Sequence, residues 1–383
     1  MSSSVHLSNS PVEVLPLRGR KMLNDFIRLS WTMNEGDPCW VPPLIVDVKE
    51  FLDPKRHPFY KHGTAEKFVA YQDGKPVGRI IASDDPVLNN RKGTNLGAWG
   101  MFECVADPLV ASALFDAAKK WSLDNHGREA LIGPMDYSTN YPVGLLTEGF
   151  EYPQVYGMNH NPPYYHDLMI ACGLERVHEM YAWFFDDSSK MLEKWQKRAD
   201  WFLKRTKITF RSFDKKHFEK DVRLCRSVYN ASLRDNWNYA ELTDAEIHFF
   251  AKQLVRFADP GHIFLAFDEE KPVGFSITLP DLNQAIKPMN GRLFPFGIFK
   301  FLARRRHIRN SRMMVLCVDP EYRGRGISEL LVLKTLDYGV HVRGYTTAEL
   351  GWTYKDNTNV NHIIERVGGR PYKTYSLYEL KTH

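Results

Sequence analysis

The stretch Val315-Leu316-Cys317-Val318-Asp319-Pro320-Glu321-Tyr322-Arg323-Gly324-Arg325-Gly326-Ile327-Ser328 constrains this chain more than any other. Its first half is an apolar, β-favouring run that ends at Asp-Pro, where a strand stops because proline removes a ladder donor. Its second half opens a helix carrying Leu330, Leu331, Leu333, Lys334 and Leu336 at helical spacing. A strand, a glycine-rich turn and a helix N-terminus together make an anion site. The first-turn N–H groups lack partners, the helix dipole turns its positive end outward, and glycine lets the backbone come close. Arg323 and Arg325 add charge suited to a diphosphate. The stretch has neither the lysine signature of a P-loop nor the Gly-x-Gly-x-x-Gly of dinucleotide folds.

This turn resembles motif A of the GCN5-related N-acetyltransferase (GNAT) superfamily, Arg/Gln-x-x-Gly-x-Gly/Ala after a strand, here Arg323-Gly324-Arg325-Gly326-Ile327-Ser328. Ser328 stands where the family prefers Gly or Ala, one small residue for another. The resemblance implies coenzyme A as the ligand, held by Arg323 to Ser328.

In chain order, Val12–Leu17 reads as a strand and Arg20–Glu35 as a helix, followed by a Pro-rich loop. Phe68–Gln72 and Pro76–Ala82, joined at Asp73-Gly74, form a hairpin because Asp-Gly readily takes positive φ. A strand at Met101–Val105, a helix from Pro108 to His126 and a strand at Ala130–Ile132 follow, then a short helix ending at Gly173 and a strand at Arg176–Phe185. The second half repeats this order, from a strand at Ile208–Phe213 to a last one at Tyr375–Leu380. Phe68–Ile80 (FVAYQDGKPVGRI) and Phe264–Ile277 (FLAFDEEKPVGFSI) are the same hairpin twice, and self-similarity at about half the chain length means duplication. The expected fold is a mixed α/β sheet in two tandem GNAT-like domains, 1–187 and 206–383, joined by a helix at 188–205. The first copy is degenerate. Where the second has its glycine turn, the first has Glu103-Cys104-Val105-Ala106-Asp107-Pro108, whose Asp107 would cap a helix and repel a phosphate.

At 383 residues, with 43% hydrophobic and 25% charged residues, the chain reads as a soluble globular protein of two domains. Five scattered cysteines without Cys-x-x-Cys spacing argue for a reducing compartment and no metal. The Ser-rich start lacks the apolar core of a signal peptide and no run reaches transmembrane length, so a cytoplasmic protein is expected. The net charge of +5 is concentrated in Lys300, Arg304, Arg305, Arg306, Arg309 and Arg312; without these six the rest of the chain carries −1.

In GNAT enzymes an amine attacks an acyl-coenzyme A thioester directly. The resemblance lays pantetheine along Leu316, Cys317 and Val318, whose amides polarise the carbonyl, and it implies a general acid and a general base. The family's usual tyrosine acid is absent, since Ile364 holds its position and Gly369 replaces the aromatic of the following Gly-Phe. Tyr354, His362 and Tyr372 are the candidates for the acid, and Glu349, on the strand facing coenzyme A, is the candidate base. Asn357 looks like the family's pantetheine-contacting asparagine. Asn236-Trp237-Asn238-Tyr239 falls in the loop where the family reads its acceptor. Asp136, Tyr137, Asn140, Tyr164 and Tyr165 in the first copy are further acceptor candidates, being polar or aromatic residues in Gly/Pro-rich loops.

An insertion at 281–311 places Leu293-Phe294-Pro295-Phe296-Gly297-Ile298-Phe299-Lys300-Phe301-Leu302 directly before the arginine cluster. Such a segment, 293–309, suits the interface of an anionic membrane on the inner face of the cell. It could instead line an acyl tunnel with its arginines on the 3′-phosphate of coenzyme A, or simply pack as a hairpin. Nucleic acid is not expected from a single patch without a recognition motif. The tandem architecture, the degenerate first copy and the insertion resemble the GNAT-type bacterial ceramide synthases, which acylate a sphingoid base. Three readings follow: an acyl-coenzyme A N-acyltransferase with a lipid-like amine, an acetyltransferase of a soluble amine, and a non-catalytic acyl-coenzyme A-binding module.

Overall fold

The structure, a computed structural model, describes residues 10–186, 188–234, 236–237 and 239–382; the first nine residues of the Ser-rich start and Asn238 lie outside the described residues. The chain runs β1 (Glu13–Pro16), α1 (Gly19–Met33), α2 (Ile45–Leu52), β2 (Thr64–Gln72), β3 (Lys75–Asp84), α3 (Pro86–Lys92), β4 (Leu96–Cys104), α4 (Pro108–His126), β5 (Ala130–Gly133), β6 (Leu145–Glu148), α5 (Tyr165–Ala171) and β7 (Glu175–Phe185). It continues as α6 (Ser188–Leu203), β8 (Ile208–Ser212), α7 (Phe218–Leu233), α8 (Asp244–Phe257), β9 (Ile263–Asp268), β10 (Lys271–Pro280), α9 (Asn283–Ile286) and α10 (Gly297–Arg304). The last elements are β11 (Asn310–Val318), α11 (Ile327–Asp337), β12 (Thr347–Tyr354), α12 (Thr358–Arg366) and β13 (Arg370–Lys381). Two compact units result. Unit 1 takes the residues up to Met180, Asn290–Leu293 and the C-terminal stretch from Lys373; unit 2 takes Tyr181–Met289 and Phe294–Tyr372.

The two hairpins of the duplication share more than sequence. In each, the Pro-Val-Gly segment carries a bulge at its valine: Tyr71 pairs with Pro76 and Ala70 with Gly78, as Phe267 pairs with Pro272 and Ala266 with Gly274. In each, the glycine after that valine lies under the helix that follows the next strand. A Cβ at Gly78 would meet Leu114 at 2.7 Å, and one at Gly274 would meet Ile327 and Leu331 at 3.2 and 3.3 Å. A missing side chain at the crossing is what lets each helix settle on its sheet.

Unit 1 orders its sheet β1-β2-β3-β4-β5-β13, with β6 also on β13. The last strand runs antiparallel to β5, with Tyr378 opposite Gly133 and Lys381 opposite Ala130. Its core joins Trp99, Phe102, Leu114, Phe115, Tyr165 and Tyr378. Parallel β4 and β5 pair only from Leu96–Ala98 to Ala130–Ile132 and then part. The gap is filled from within. Asp136 Oδ1 accepts from the Met101 N–H at 2.8 Å, Tyr165 hydroxyl accepts from the Cys104 N–H at 3.0 Å, and Tyr164 hydroxyl donates to the Cys104 carbonyl at 2.7 Å.

Unit 2 orders its sheet β12-β11-β10-β9-β8, with the Tyr181–Phe185 end of β7 beside β12. Parallel β11 and β12 pair from Asn310–Met313 to Thr347–Leu350, and beyond that the strands diverge. The pairing of β11 with β10 jumps from Met313 to Val315, so Met314 bulges where the divergence begins. One face of this sheet holds Met313, Ala348 and Leu350 against Val332 and Leu336 of α11, Ile364 of α12 and Val367 just after it. The connecting helix α6 packs Leu192 and Ala199 on Leu330 and Leu333 of α11.

In the insertion, Gly291 accepts from the Ile45 N–H at 3.0 Å within unit 1, whereas α10 belongs to unit 2. Helix α10 buries Phe301 and leaves Phe294, Phe296, Phe299 and Leu302 exposed beside it, with Lys300, Arg304, Arg305, Arg306 and Arg309 also in solvent. Arg312 does not join them. It is 4% exposed inside the sheet, because strand alternation turns it away from the surface.

Candidate active site

The glycine turn of unit 2 is built for an anion. Gly324 and Gly326 sit at φ +73° and +74°, a conformation that a side chain disfavours, and Gly326 immediately precedes α11 at its N-cap. No side chain caps that helix. Its first-turn N–H groups therefore remain available beside the exposed Arg323 and Arg325. The nearby acids are already matched: Lys271 Nζ lies 3.0 Å from Glu321 and 3.4 Å from Asp319. Tyr322 carries the Arg325 guanidinium over its ring at 4.7 Å and donates its hydroxyl to Asp268 at 2.9 Å. Arg323 reaches the Ser232 carbonyl of α7 at 2.5 Å.

The corresponding turn of unit 1 is shorter and closed. Matching Gly78 to Gly274 aligns Cys104 with Val318 and Val110 with Ile327, which leaves five residues (105–109) where unit 2 has eight (319–326). Asp107 accepts from the Leu109 N–H at 2.9 Å, so a carboxylate occupies the position an anion would need.

Beyond the last β11–β12 pair, aromatics gather around Tyr354 at the end of β12. Leu316 is half-buried, while Cys317 and Val318 are buried; burial pushes the Cys317 thiol up to about 12, against the pull of Ser232 and Arg323. Trp237 meets Tyr354 edge-on at 6.1 Å, and Trp352 meets it at 5.0 Å. Tyr239 is 3% exposed and donates to Asn230 at 2.5 Å; its ring lies 6.0 Å from Tyr229. Burial, then the proximity of Cys317, Tyr239, Glu246 and Tyr354, drives the Tyr229 hydroxyl well above its ordinary value. Tyr354 is raised likewise, by burial and then by Asp356, and stays a neutral phenol. Asn236 turns the backbone, taking the Tyr239 N–H at 3.3 Å.

Of the acid and base candidates, the fold brings Glu349 and Tyr372 together. Glu349 alternates with Ala348 and Leu350, so its carboxylate lies on the sheet face opposite α11 and α12. It is 1% exposed, faces Arg312 at 3.0 Å in the register of the two strands, and accepts the Tyr372 hydroxyl. Arg312 also donates to the Gly351 carbonyl at 3.1 Å. Tyr372 is half-buried, with Phe184 at 5.4 Å. His362 lies apart, exposed on α12, and Asn357 caps that helix through the Val360 N–H at 3.4 Å. Ile364 is a core residue, and a Cβ at Gly369 would lie 2.5 Å from it. Packing thus explains why neither position carries an aromatic.

The unit 1 candidates sit deeper than a loop reading suggests. Tyr137 is 2% exposed, stacked on Phe59 and Phe51 at 4.8 and 4.9 Å. Tyr165 is fully buried and donates to Glu103 at 2.7 Å, beside Arg79, which donates to the Phe26 carbonyl and to Ser30. Desolvation pushes Asp136 up to about 6, with Met101 N–H and Arg79 pulling the other way. Asn140 N–H donates to Ser138 at 3.3 Å. Sequence reasoning missed Arg312 and Tyr229. The first was hidden in a basic run, and the second gives no local signal.

The acetyltransferase (GNAT) family model matches residues 225–368. The chain is 31% identical over 97% of its length, and 98% of the relative's, to a protein named bacterial ceramide synthase from Caulobacter vibrioides. It is 32% identical over 93% of its length, and 92% of the relative's, to Protein YghO of Escherichia coli. Among solved structures, a tandem GNAT protein from the clavulanic acid biosynthesis pathway superposes with a TM-score of 0.59 at 13% identity, covering 97% of this chain and 99% of that one. With an N-acyltransferase fold, a doubled hairpin and a relative matched end to end, the chain belongs to the GNAT family, in its tandem form.

Proposed function

We propose that this protein transfers a long acyl chain from acyl-coenzyme A to the primary amine of a lipid-like acceptor such as a sphingoid base. The observation that carries the acyl-coenzyme A part is the uncapped, doubly left-handed glycine turn opening directly onto a diverging strand pair in unit 2 and closed in unit 1. Arg323, Arg325 and the first-turn N–H groups of α11 take the diphosphate. The backbone amides of Leu316–Val318 polarise the thioester carbonyl. The amine nitrogen bonds to the carbonyl carbon as the C–S bond breaks. One ammonium proton leaves through Tyr372 to Glu349, whose charge Arg312 balances; the thiolate takes a proton from the neutral Tyr354 phenol, and the second proton lost by the nitrogen restores that phenol.

The lipid character of the acceptor rests on the name of the Caulobacter relative and on α10. Phe294, Phe296 and Phe299 are 69%, 73% and 68% exposed, and Lys300, Arg304, Arg305, Arg306 and Arg309 in the same stretch of chain are exposed as well. An exposed apolar segment followed directly by a cluster of cations suits the headgroup region of an anionic bilayer, each cation adding about 1 kcal/mol there. The contact proposed is a peripheral one; among the described residues no helix is long and apolar enough to cross a membrane. The test is thiol release from acetyl- and palmitoyl-coenzyme A, with and without a sphingoid base and a panel of soluble amines. Turnover that requires both the long chain and the lipid amine supports the proposal. Turnover with acetyl-coenzyme A and a small amine overturns the lipid part, and binding without turnover under any pairing overturns the enzyme.

A further inference from the structure

A cavity of about 400 Å³ opens within unit 2 beside the glycine turn, where the end of α6 meets β8 and β9. Its walls include Trp201, Arg205, Lys207, Asp268 and Arg325. Three cations face one carboxylate, and the wall they share contains a tryptophan. That indole is 57% exposed, with the Arg205 guanidinium 4.1 Å over its ring. A large aromatic left open to solvent beside a cationic cluster is an informative exception to burial. The cavity is also continuous with the turn: Asp268 accepts the Tyr322 hydroxyl, and Arg325 covers the Tyr322 ring. A ligand held by its diphosphate at the turn therefore has this cavity within reach of its nucleotide end.

Flat aromatic surface, a carboxylate able to accept from an exocyclic amine, and clustered cations together suit a purine nucleoside bearing an extra phosphate monoester. Resting on the acyl-coenzyme A reading above, we infer that this cavity takes the 3′-phosphoadenosine end of the cosubstrate. Arg205 and Lys207 bind the 3′-phosphate, Trp201 stacks on adenine and Asp268 accepts from its amino group. The connecting helix α6 is then part of the cosubstrate site, because Trp201 lies on it and Arg205 comes two residues after its end. The arginines of the insertion, the other cationic cluster in unit 2, do not discriminate the 3′-phosphate.

Calorimetric titration of the full chain with coenzyme A and with 3′-dephospho-coenzyme A tests this without relying on turnover. The wild type should bind coenzyme A about 10- to 100-fold more tightly, the range expected for hydrogen bonds between charged groups. Arg205→Ala combined with Lys207→Ala should bring coenzyme A down to the affinity of the dephospho form and leave the latter unchanged. Trp201→Ala should weaken both ligands equally, by about tenfold, and Arg305→Glu with Arg306→Glu should preserve the discrimination. All of these positions are exposed, so the variants keep the fold, which circular dichroism checks. Equal affinity of the wild type for both ligands, or discrimination lost through Arg305 and Arg306 instead, overturns the inference alone. Binding of neither ligand overturns the acyl-coenzyme A reading and this inference with it.

Discussion

Replacing Glu349 by glutamine probes the buried pair at the root of the opening between β11 and β12. The Arg312 and Glu349 side chains are 5% and 0% exposed, and they face each other at 3.0 Å. Taking the charge from one partner leaves a guanidinium in the sheet interior without its counter-ion, a cost of about 3–5 kcal/mol. For a unit of this size, at about 2–4 °C per kcal/mol, Glu349→Gln should lower the melting temperature by roughly 6–20 °C in differential scanning calorimetry. Replacing both partners by apolar residues, Arg312→Met with Glu349→Leu, should recover most of that loss, since the desolvation of both ions disappears with the pair. Tyr372→Phe separates chemistry from stability. It removes only one donor to the carboxylate, a loss of about 1–3 kcal/mol, yet it should lower kcat by roughly 10²- to 10⁴-fold with KM little changed if the hydroxyl carries the amine proton. The ion-pair reasoning is refuted if Glu349→Gln melts within 2 °C of the wild type, and the relay is refuted if Tyr372→Phe turns over normally.

Arg323→Glu should weaken coenzyme A binding by roughly 10- to 100-fold by placing like charge beside the diphosphate; unchanged affinity in a titration would show that the cosubstrate lies elsewhere. Gly326→Ala should cost about 1–2 kcal/mol from its φ of +74° and weaken coenzyme A binding as well, since the turn must rearrange. Serine at Phe296 and Phe299 should abolish sedimentation with phosphatidylserine vesicles while leaving coenzyme A binding intact, whereas equal sedimentation of variant and wild type contradicts the membrane role of α10. His262, 1% exposed with its Nε2–H donating to the Thr335 carbonyl, is held down to about 4 mainly by burial. Because the unfolded chain protonates it near 6.5, stability from this group is complete above that pH and falls as pH drops towards 4, by up to about 3 kcal/mol. Melting curves across pH 4–7 should show this slope, and His262→Asn should flatten it.

The sequence by itself determined the parts that depend on neighbours along the chain. The helix Pro108–His126 has in the structure the bounds read from the sequence, and the two hairpins follow from Asp73-Gly74 and its counterpart at Glu269-Glu270. The glycine turn was legible for the same reason, since positive φ, the missing cap and the paired arginines all lie within a few residues. What only the tertiary structure decided is which distant residues meet. Arg312 read as part of a surface patch until the β11–β12 register set it opposite Glu349. Tyr372 and Glu349 lie 23 residues apart, and only the folded chain brings the hydroxyl to the carboxylate. Tyr164 and Tyr165 read as loop aromatics, but the divergence of β4 from β5 left backbone groups that their hydroxyls now satisfy. Helix α10 gave no periodicity long enough to read in eight residues, and its exposed phenylalanines emerge only from what Phe301 buries. Local propensity and turn chemistry are written along the chain, whereas strand register and burial depend on partners that the chain order does not name.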